Sequence, residues 1–158
     1  MNGNMISKIV GKLKQDENFE ECWNSELIEI PYFQNKPMKI VFTEAENESY
    51  FTLADFAIGN FMRLSISDRD NHSLQIIENY KQNLIFDYTP RLELKSDNDI
   101  WNFVYPSDII LAQNETGEVF VLVECGCEWE EEHGLQLVFK NGQQLTRVSY
   151  NDGGLEDE

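Results

Sequence analysis

Two cysteines and a histidine in the last third of the chain are the residues best suited to hold a metal ion. Cys125 and Cys127 fall on one face of a predicted strand, and His133 follows shortly after them. Thiolates and imidazole are zinc ligands, and a fourth ligand would be Cys22, His72 or a carboxylate. The cysteines are separated by a single residue, which departs from the usual zinc spacing. The alternative is that both thiols are small buried groups on an apolar strand face.

The densest acidic run of the chain lies between the cysteines and this histidine. Its glutamates are Glu128, Glu130, Glu131 and Glu132. Such carboxylates could bind a hard cation, or pair with His133 for proton transfer. The run matches neither a calcium-binding loop nor a His-Glu-x-x-His pair. The alternative is a solvated acidic turn, in which Trp129 anchors the turn to the core, His133 braces it by hydrogen bonding, and Gly134 supplies an unusual backbone conformation.

The rest of the chain lacks the patterns of common enzymes. There are only two histidines, and no Gly-x-Ser-x-Gly motif, phosphate-binding glycine loop or dinucleotide fingerprint is present. The glycine pair Gly153-Gly154 predicts a terminal turn, since no helix follows that could hold a phosphate. We therefore expect no catalytic residues and no cofactor.

Aromatic side chains are abundant and could serve either a core or an interface. The chain has three Trp, ten Phe and six Tyr. Most aromatic side chains fill cores, but an exposed subset ringed by carboxylates would form an interaction surface. Trp101 and Tyr105 are candidates for such a subset.

The composition predicts one folded, acidic domain spanning residues 1–158. Twelve Lys and Arg against 29 Asp and Glu give a net charge of −17, which argues against binding to nucleic acid or to anionic membranes. A hydrophobic content of 41% and an aromatic content of 12% argue against disorder. Residues 1–80 carry 7 basic and 13 acidic residues, whereas residues 81–158 carry 5 and 16. The acidity is thus concentrated toward the C-terminus.

The N-terminus has no apolar run of signal-peptide length, and no stretch approaches the length of a transmembrane helix. The three cysteines are odd in number, which favours a reduced protein. We expect a cytoplasmic protein.

Apolar spacing predicts the first half of the fold. Residues 5–14 are expected to form a short amphipathic helix, and residues 27–30 and 38–42 are expected to form two strands joined by a loop. Residues 52–64 and 69–85 are expected to form a helical hairpin. The apolar face of the first helix is expected to consist of Leu53, Phe56, Ala57, Phe61 and Leu64, with Thr52 as its cap. The apolar face of the second is expected to consist of Leu74, Ile77, Tyr80 and Leu84, with Ser67 or Asp68 as its cap.

Alternating apolar residues predict a C-terminal meander of three or four strands. The expected strands are residues 108–113, 118–127, 135–140 and 143–150. In the second of them, alternate residues from Val119 to Cys127 share one face, and Glu124 lies on the other. Asn141-Gly142 predicts a two-residue hairpin loop with Lys140 opposite Gln143, Val138 opposite Leu145 and Gln136 opposite Arg147. The resulting class is α+β, a mostly antiparallel sheet with an inserted helical hairpin and a C-terminal β-meander.

The segment that contains these candidate residues resembles a family of small, acidic, uncharacterised bacterial proteins with a domain of unknown function. The resemblance rests on the pattern Cys-x-Trp-Glu-x-Glu-His-Gly-Leu, which here runs from Cys127 to Leu135. It continues through Phe139 and Gly142 to Arg147-Val148 and Asp152-Gly153. Ile100-Trp101 and Ile30-Pro31-Tyr32-Phe33 also look similar to the family. Members look like the immunity proteins of bacterial toxin systems, so the resemblance implies a non-enzymatic protein that binds a cognate toxin.

The leading hypothesis is therefore a protein-binding domain whose partner is a basic toxin. The expected partner-binding residues are Glu124, Glu128, Glu130, Glu131, Glu132 and Trp101. Two alternatives stay open: a metal-binding domain or metal-dependent enzyme that uses Cys125, Cys127 and His133, and a structural accessory protein that acts as a homo-oligomer. The sequence does not determine the oligomeric state.

Overall fold

A computed structural model describes residues 5–156 and confirms the α+β class. These described residues form ten strands and three α-helices, together with 3₁₀ turns at Pro31–Phe33 and Asp97–Phe103. The strands are β1 (Met5–Ser7), β2 (Gly11–Gln15), β3 (Cys22–Ser25), β4 (Ile28–Ile30), β5 (Lys36–Met38), β6 (Ile40–Thr43), β7 (Val104–Gln113), β8 (Val119–Cys127), β9 (Leu135–Lys140) and β10 (Gln144–Ser149); the helices are α1 (Glu48–Met62), α2 (Ile66–Asn71) and α3 (Ser73–Asn83). Within residues 5–156, no helix has the length and apolar character needed to cross a membrane.

Eight of the strands form one sheet in the order β1-β2-β3-β6-β7-β8-β9-β10, and β4 pairs separately with β5. All neighbours in the large sheet are antiparallel except β6 and β7, where Ile40 lies opposite Ile109. Parallel neighbours need a long crossover connection. The three helices lie within that connection, which explains why the helical segment is inserted in the middle of the chain.

The N-terminal segment is a β-hairpin, so the helix predicted over residues 5–14 is wrong. Strands β1 and β2 pair with Ser7 opposite Gly11. The Ser7 hydroxyl accepts hydrogen bonds from the backbone N–H groups of Ile9 and Val10 and donates to the Asp55 carboxylate on α1. Asp55 also accepts from the Lys8 N–H. These contacts to a distant helix determine the turn, and the local apolar spacing does not contain them.

Helix α1 confirms the first predicted helix but begins earlier than residue 52. Its N-cap is Asn47, whose side chain accepts from the Tyr50 N–H, so the predicted Thr52 cap is wrong. The face turned to the sheet is also rotated from the predicted stripe, because Leu53 and Phe56 are exposed. Its buried apolar residues are Tyr50, Ala54, Ala57, Ile58 and Phe61.

The second predicted helix is present as two consecutive helices, α2 and α3. Ser65 caps α2, and its backbone N–H donates to Asp68 in a capping box, so neither Ser67 nor Asp68 is the cap residue. On α3, Ile77 and Tyr80 are buried as predicted, whereas Leu74 is exposed. The predicted apolar face is therefore wrong at Leu74, and Ile76 is fully buried in the core instead.

Strands β7 to β10 form the predicted meander. Asn141 and Gly142 both have positive φ, as the Asn-Gly signal requires. The predicted register is wrong, because Lys140 lies opposite Gln144, and a bulge near residue 146 then places Arg147 opposite Val138. The Asn141 N–H donates to the Val119 carbonyl at 2.8 Å, and the Asn60 side chain donates to the Asn141 carbonyl at 3.0 Å. Strand β8 and helix α1 thus hold the loop.

The two central strands of the meander, β8 and β9, are largely buried on both faces. Its inner face packs on the helices and includes the predicted row of five on β8, namely Val119, Val121, Val123, Cys125 and Cys127. Phe120, Leu122 and Val138 form a second cluster on the outer face, against which Leu155 packs. Residues 150–156, which we call the C-terminal tail, therefore contribute to the cover of that outer face.

Candidate acidic interaction site

The acidic turn, residues 128–134, joins β8 to β9 and is closed by Gly134. Gly134 has a φ of +73°, and its N–H donates to the Glu130 carbonyl at 2.8 Å. A Cβ atom at this position would lie 2.5 Å from the carbonyl oxygen of Cys125. Only glycine satisfies both the left-handed backbone and this close approach. Gly134 therefore sets the backbone conformation at the end of the acidic turn.

Two glutamates of the acidic turn are engaged in local hydrogen bonds. The Glu130 carboxylate accepts from the His133 N–H at 3.2 Å and shares a 2.9 Å hydrogen bond with His133 Nδ1. His133 therefore braces the turn by hydrogen bonding. The Glu128 carboxylate accepts from the Tyr105 hydroxyl at 2.7 Å, and this bond raises the pKa of Tyr105.

Trp129 anchors the turn to helix α3. The side chain is 2% exposed, and its Nε1 donates to the Asn79 Oδ1 at 2.8 Å. Its ring lies edge-on to Tyr80, with 5.6 Å between the ring centroids. A buried tryptophan with a satisfied N–H fixes the position of the backbone on either side of it.

Glu131 and Glu132 are the free carboxylates of the turn. Both residues are exposed. Neither side chain has a hydrogen bond or an ion pair within the described range, residues 5–156. Two adjacent like charges thus project from a turn that glycine, tryptophan and histidine hold in place.

A groove of about 500 Å³ runs between the acidic turn and the loop after α3. Residues 84–90 form this loop, which we call the aromatic loop. Tyr88 and Pro90 line one wall, and residues 128–133 line the other. The helix predicted over residues 69–85 extended into this loop, whereas α3 ends at Asn83, and no prediction covered this wall. The available signal was an aromatic pair, Phe86 and Tyr88, placed after the helical stripe and just before a proline.

Glu124, also expected to bind a partner, lies apart from the groove lining. It is half-buried on the outer face of β8, opposite Gln136 of β9. The Asn151 side chain of the C-terminal tail donates to its carboxylate at 3.4 Å.

Trp101 is a core residue, so its predicted exposure is wrong. Its side chain is 6% exposed, and Nε1 donates to the Ser73 hydroxyl at 2.9 Å. The Arg69 guanidinium lies 5.2 Å from the ring centroid and covers it. Its neighbour candidate Tyr105 is exposed. Helix α3 and Arg69 therefore cover most of Trp101 and leave little of its surface for contact with a partner.

The structure does not bring the proposed zinc ligands together. Cys125 and Cys127 are buried on the inner face of β8, and burial raises the pKa of both thiols, that of Cys127 to about 11. Zinc binds the thiolate form, which burial in apolar surroundings disfavours. His133 is exposed and bound to Glu130. In the described part of the chain, no three His, Cys, Asp or Glu side chains form a group that could hold a metal ion.

Comparison with known proteins identifies the family. Searches of curated proteins and of solved structures returned no match. A family model described as a domain of unknown function, DUF6985, matches residues 9–155. The match includes the helical segment, the acidic turn and almost all of the C-terminal tail. The chain therefore belongs to the DUF6985 family.

Proposed function

We propose that the protein is a cytoplasmic, non-enzymatic binding domain of the immunity type, which neutralises a cognate basic toxin. The observation that carries the proposal is the pair of free carboxylates, Glu131 and Glu132, on a turn whose conformation is fixed by other residues. A surface that is already ordered loses little conformational entropy on binding. An anchored, charged turn is thus suited to docking against a protein.

The charge of the whole molecule supports the same partner class. A net charge of −17 attracts a positively charged protein over a distance and raises the rate of association. Toxins that act on nucleic acids carry basic active-site surfaces. An acidic domain bound to such a surface would occlude it in place of the nucleic acid.

Measured association with the product of the adjacent gene would test the proposal. The protein should copurify with that product and protect cells that express it. In a Glu131→Lys/Glu132→Lys variant, we expect the association rate at low salt to fall by about tenfold or more, because electrostatic steering is lost. The same variant should show a weaker dependence of the rate on salt.

A matched control separates a local surface from general charge. Glu20 and Glu21 are adjacent, exposed glutamates in the turn between β2 and β3. Glu20→Lys/Glu21→Lys changes the net charge by the same amount at another place. If both variants slow association equally, the acidic turn has no special role. If neither changes the rate, the proposal is wrong.

A further inference from the structure

Two aromatic side chains of the aromatic loop are stacked on each other at the surface. The rings of Phe86 and Tyr88 are 5.4 Å apart and only 16° from parallel. Tyr88 is 80% exposed and Phe86 is 42% exposed. The neighbouring Ile85 is 78% exposed. Clustered exposed apolar side chains mark interaction sites more often than isolated ones.

The loop that carries this stack is held by its own hydrogen bonds. The Thr89 hydroxyl donates to the Asn83 carbonyl at 2.7 Å, and the Phe86 N–H donates to the same carbonyl at 3.1 Å. The Tyr80 hydroxyl accepts from the Leu92 N–H at 2.7 Å. Because Thr89 is also buried, the loop is closed onto the end of α3. The stack is therefore presented from an ordered segment.

The two walls of the groove have complementary character. One wall offers the Tyr88 ring and Pro90, and the other offers the free carboxylates of Glu131 and Glu132. Asn79 and Tyr80 on α3 both contact Trp129 of the acidic turn, and the aromatic loop directly follows α3 in the chain. Both walls are therefore fixed to the same helix. No lysine or arginine of residues 5–156 lines the groove. An aromatic face opposite unpaired carboxylates is suited to a planar cation.

We propose that this groove binds an arginine side chain of the basic protein partner. The guanidinium stacks on the free face of Tyr88 and donates hydrogen bonds to Glu131 and Glu132. This inference rests on the proposed function and specifies the chemistry of the partner at the same site. Arginine is favoured over lysine because its planar guanidinium both stacks on aromatic rings and bonds carboxylates in a bidentate manner.

Titration of the full-length protein with hexa-arginine and hexa-lysine peptides, followed by NMR, would test the proposal. The two probes carry the same charge and differ in the geometry of the cation. We expect the arginine peptide to bind about two- to fivefold more tightly, as an exposed cation–π contact predicts. The signals of residues 84–90 and 128–134 should shift together.

Two variants separate stacking from charge. Tyr88→Leu should remove the arginine preference, so that the two peptides bind with equal affinity. Glu131→Gln/Glu132→Gln should weaken the binding of both peptides. Phe19→Leu is the control, because Phe19 is an exposed aromatic residue in the turn between β2 and β3 and should change neither affinity.

The outcomes distinguish this inference from the proposed function. Equal affinities for the two peptides, or an arginine preference that survives Tyr88→Leu, would overturn the arginine site while leaving an acidic binding surface intact. If Glu131→Gln/Glu132→Gln leaves both peptides bound as tightly as before, the acidic turn is not a binding surface and both proposals fail.

Discussion

Within the acidic turn, individual residues divide into those that hold the turn and those that face solvent. Gly134, Trp129 and His133 each have an internal contact that fixes the backbone. Glu131 and Glu132 have none within residues 5–156, so their charge is available to a partner. Residues of a motif can thus have a structural role even where the most visible feature of the motif is its acidity.

Replacing Gly134 tests whether the acidic turn tolerates a Cβ atom at this position. Gly134→Ala adds a Cβ that would lie 2.5 Å from the Cys125 carbonyl oxygen at a φ of +73°. We expect the free energy of unfolding to fall by at least about 2 kcal/mol, since clash and backbone strain add. Urea unfolding would measure it. Gly117→Ala is the control, because Gly117 has a φ of +85° but no atom within 4 Å of an added Cβ. Equal losses at both positions would contradict the role of the close approach.

Hydrogen bonds to side chains of β9 and β10 hold the C-terminal tail against the outer face of the sheet. Gln136 of β9 is fully buried, and its side chain donates to the Gly154 carbonyl at 2.7 Å and accepts from the Gly153 N–H at 3.0 Å. The Arg147 guanidinium of β10 donates to both carboxylate oxygens of Asp152, at 2.8 and 2.9 Å. These bonds hold the tail against the outer face and keep Leu155 on its apolar cluster.

The ion pair gives the tail a pH dependence. The hydrogen bonds from Arg147 lower the pKa of Asp152 to about 2. A lowered folded-state pKa stabilises the fold above the unfolded-state value, and this contribution is lost as pH falls from about 4 toward 2. Because the pair is partly solvated, we expect Asp152→Asn to lower the free energy of unfolding by about 1 kcal/mol at neutral pH.

Urea unfolding at several pH values would check this dependence. The difference between the wild-type protein and Asp152→Asn should shrink as pH falls toward 2. Asp87→Asn, at an exposed position of the aromatic loop, should follow the wild-type profile. A constant difference at every pH would contradict the ion-pair explanation.

At the scale of the whole molecule, repulsion between carboxylates affects the stability of the fold. The chain has 29 Asp and Glu, and within residues 5–156 lysine and arginine form ion pairs with only three of them, Asp70, Glu118 and Asp152. Most carboxylates therefore repel one another without a local cation. Such repulsion destabilises the compact state while it keeps the molecules apart in solution.

Added salt should therefore stabilise the protein. Screening of the repulsion between carboxylates is expected to raise the free energy of unfolding by about 1 kcal/mol, or Tm by about 3 °C, between low salt and about 0.5 M NaCl. Thermal unfolding followed by circular dichroism would measure it. KCl should act like NaCl, because screening depends on ionic strength. A Tm that stays constant or falls with salt would contradict this prediction.

Local patterns predicted an element best where its contacts are also local. The alternation in β8 is confirmed because a strand between two partners must place alternate residues on opposite faces. The helix predicted over residues 5–14 is wrong because Ser7 forms a hydrogen bond with Asp55, which lies far away in the chain. Helix α1 was predicted, but the sheet determined which face it buries, so Leu53 and Phe56 are exposed. The exposure predicted for Trp101 is wrong for the same kind of reason, because Ser73 and Arg69, which lie far away in the chain, cover its side chain.

The sequence by itself determined the fold class and the order of strands in the meander, since period and turn type depend on residues close in the chain. Only the tertiary structure decided which carboxylates are free and what lies opposite them. The groove joins residues 88–90 to residues 128–133, and helix α3 sets their separation through Asn79 and Tyr80. A contact between segments so far apart in the chain depends on the packing of the whole sheet and its helices, which no local pattern contains.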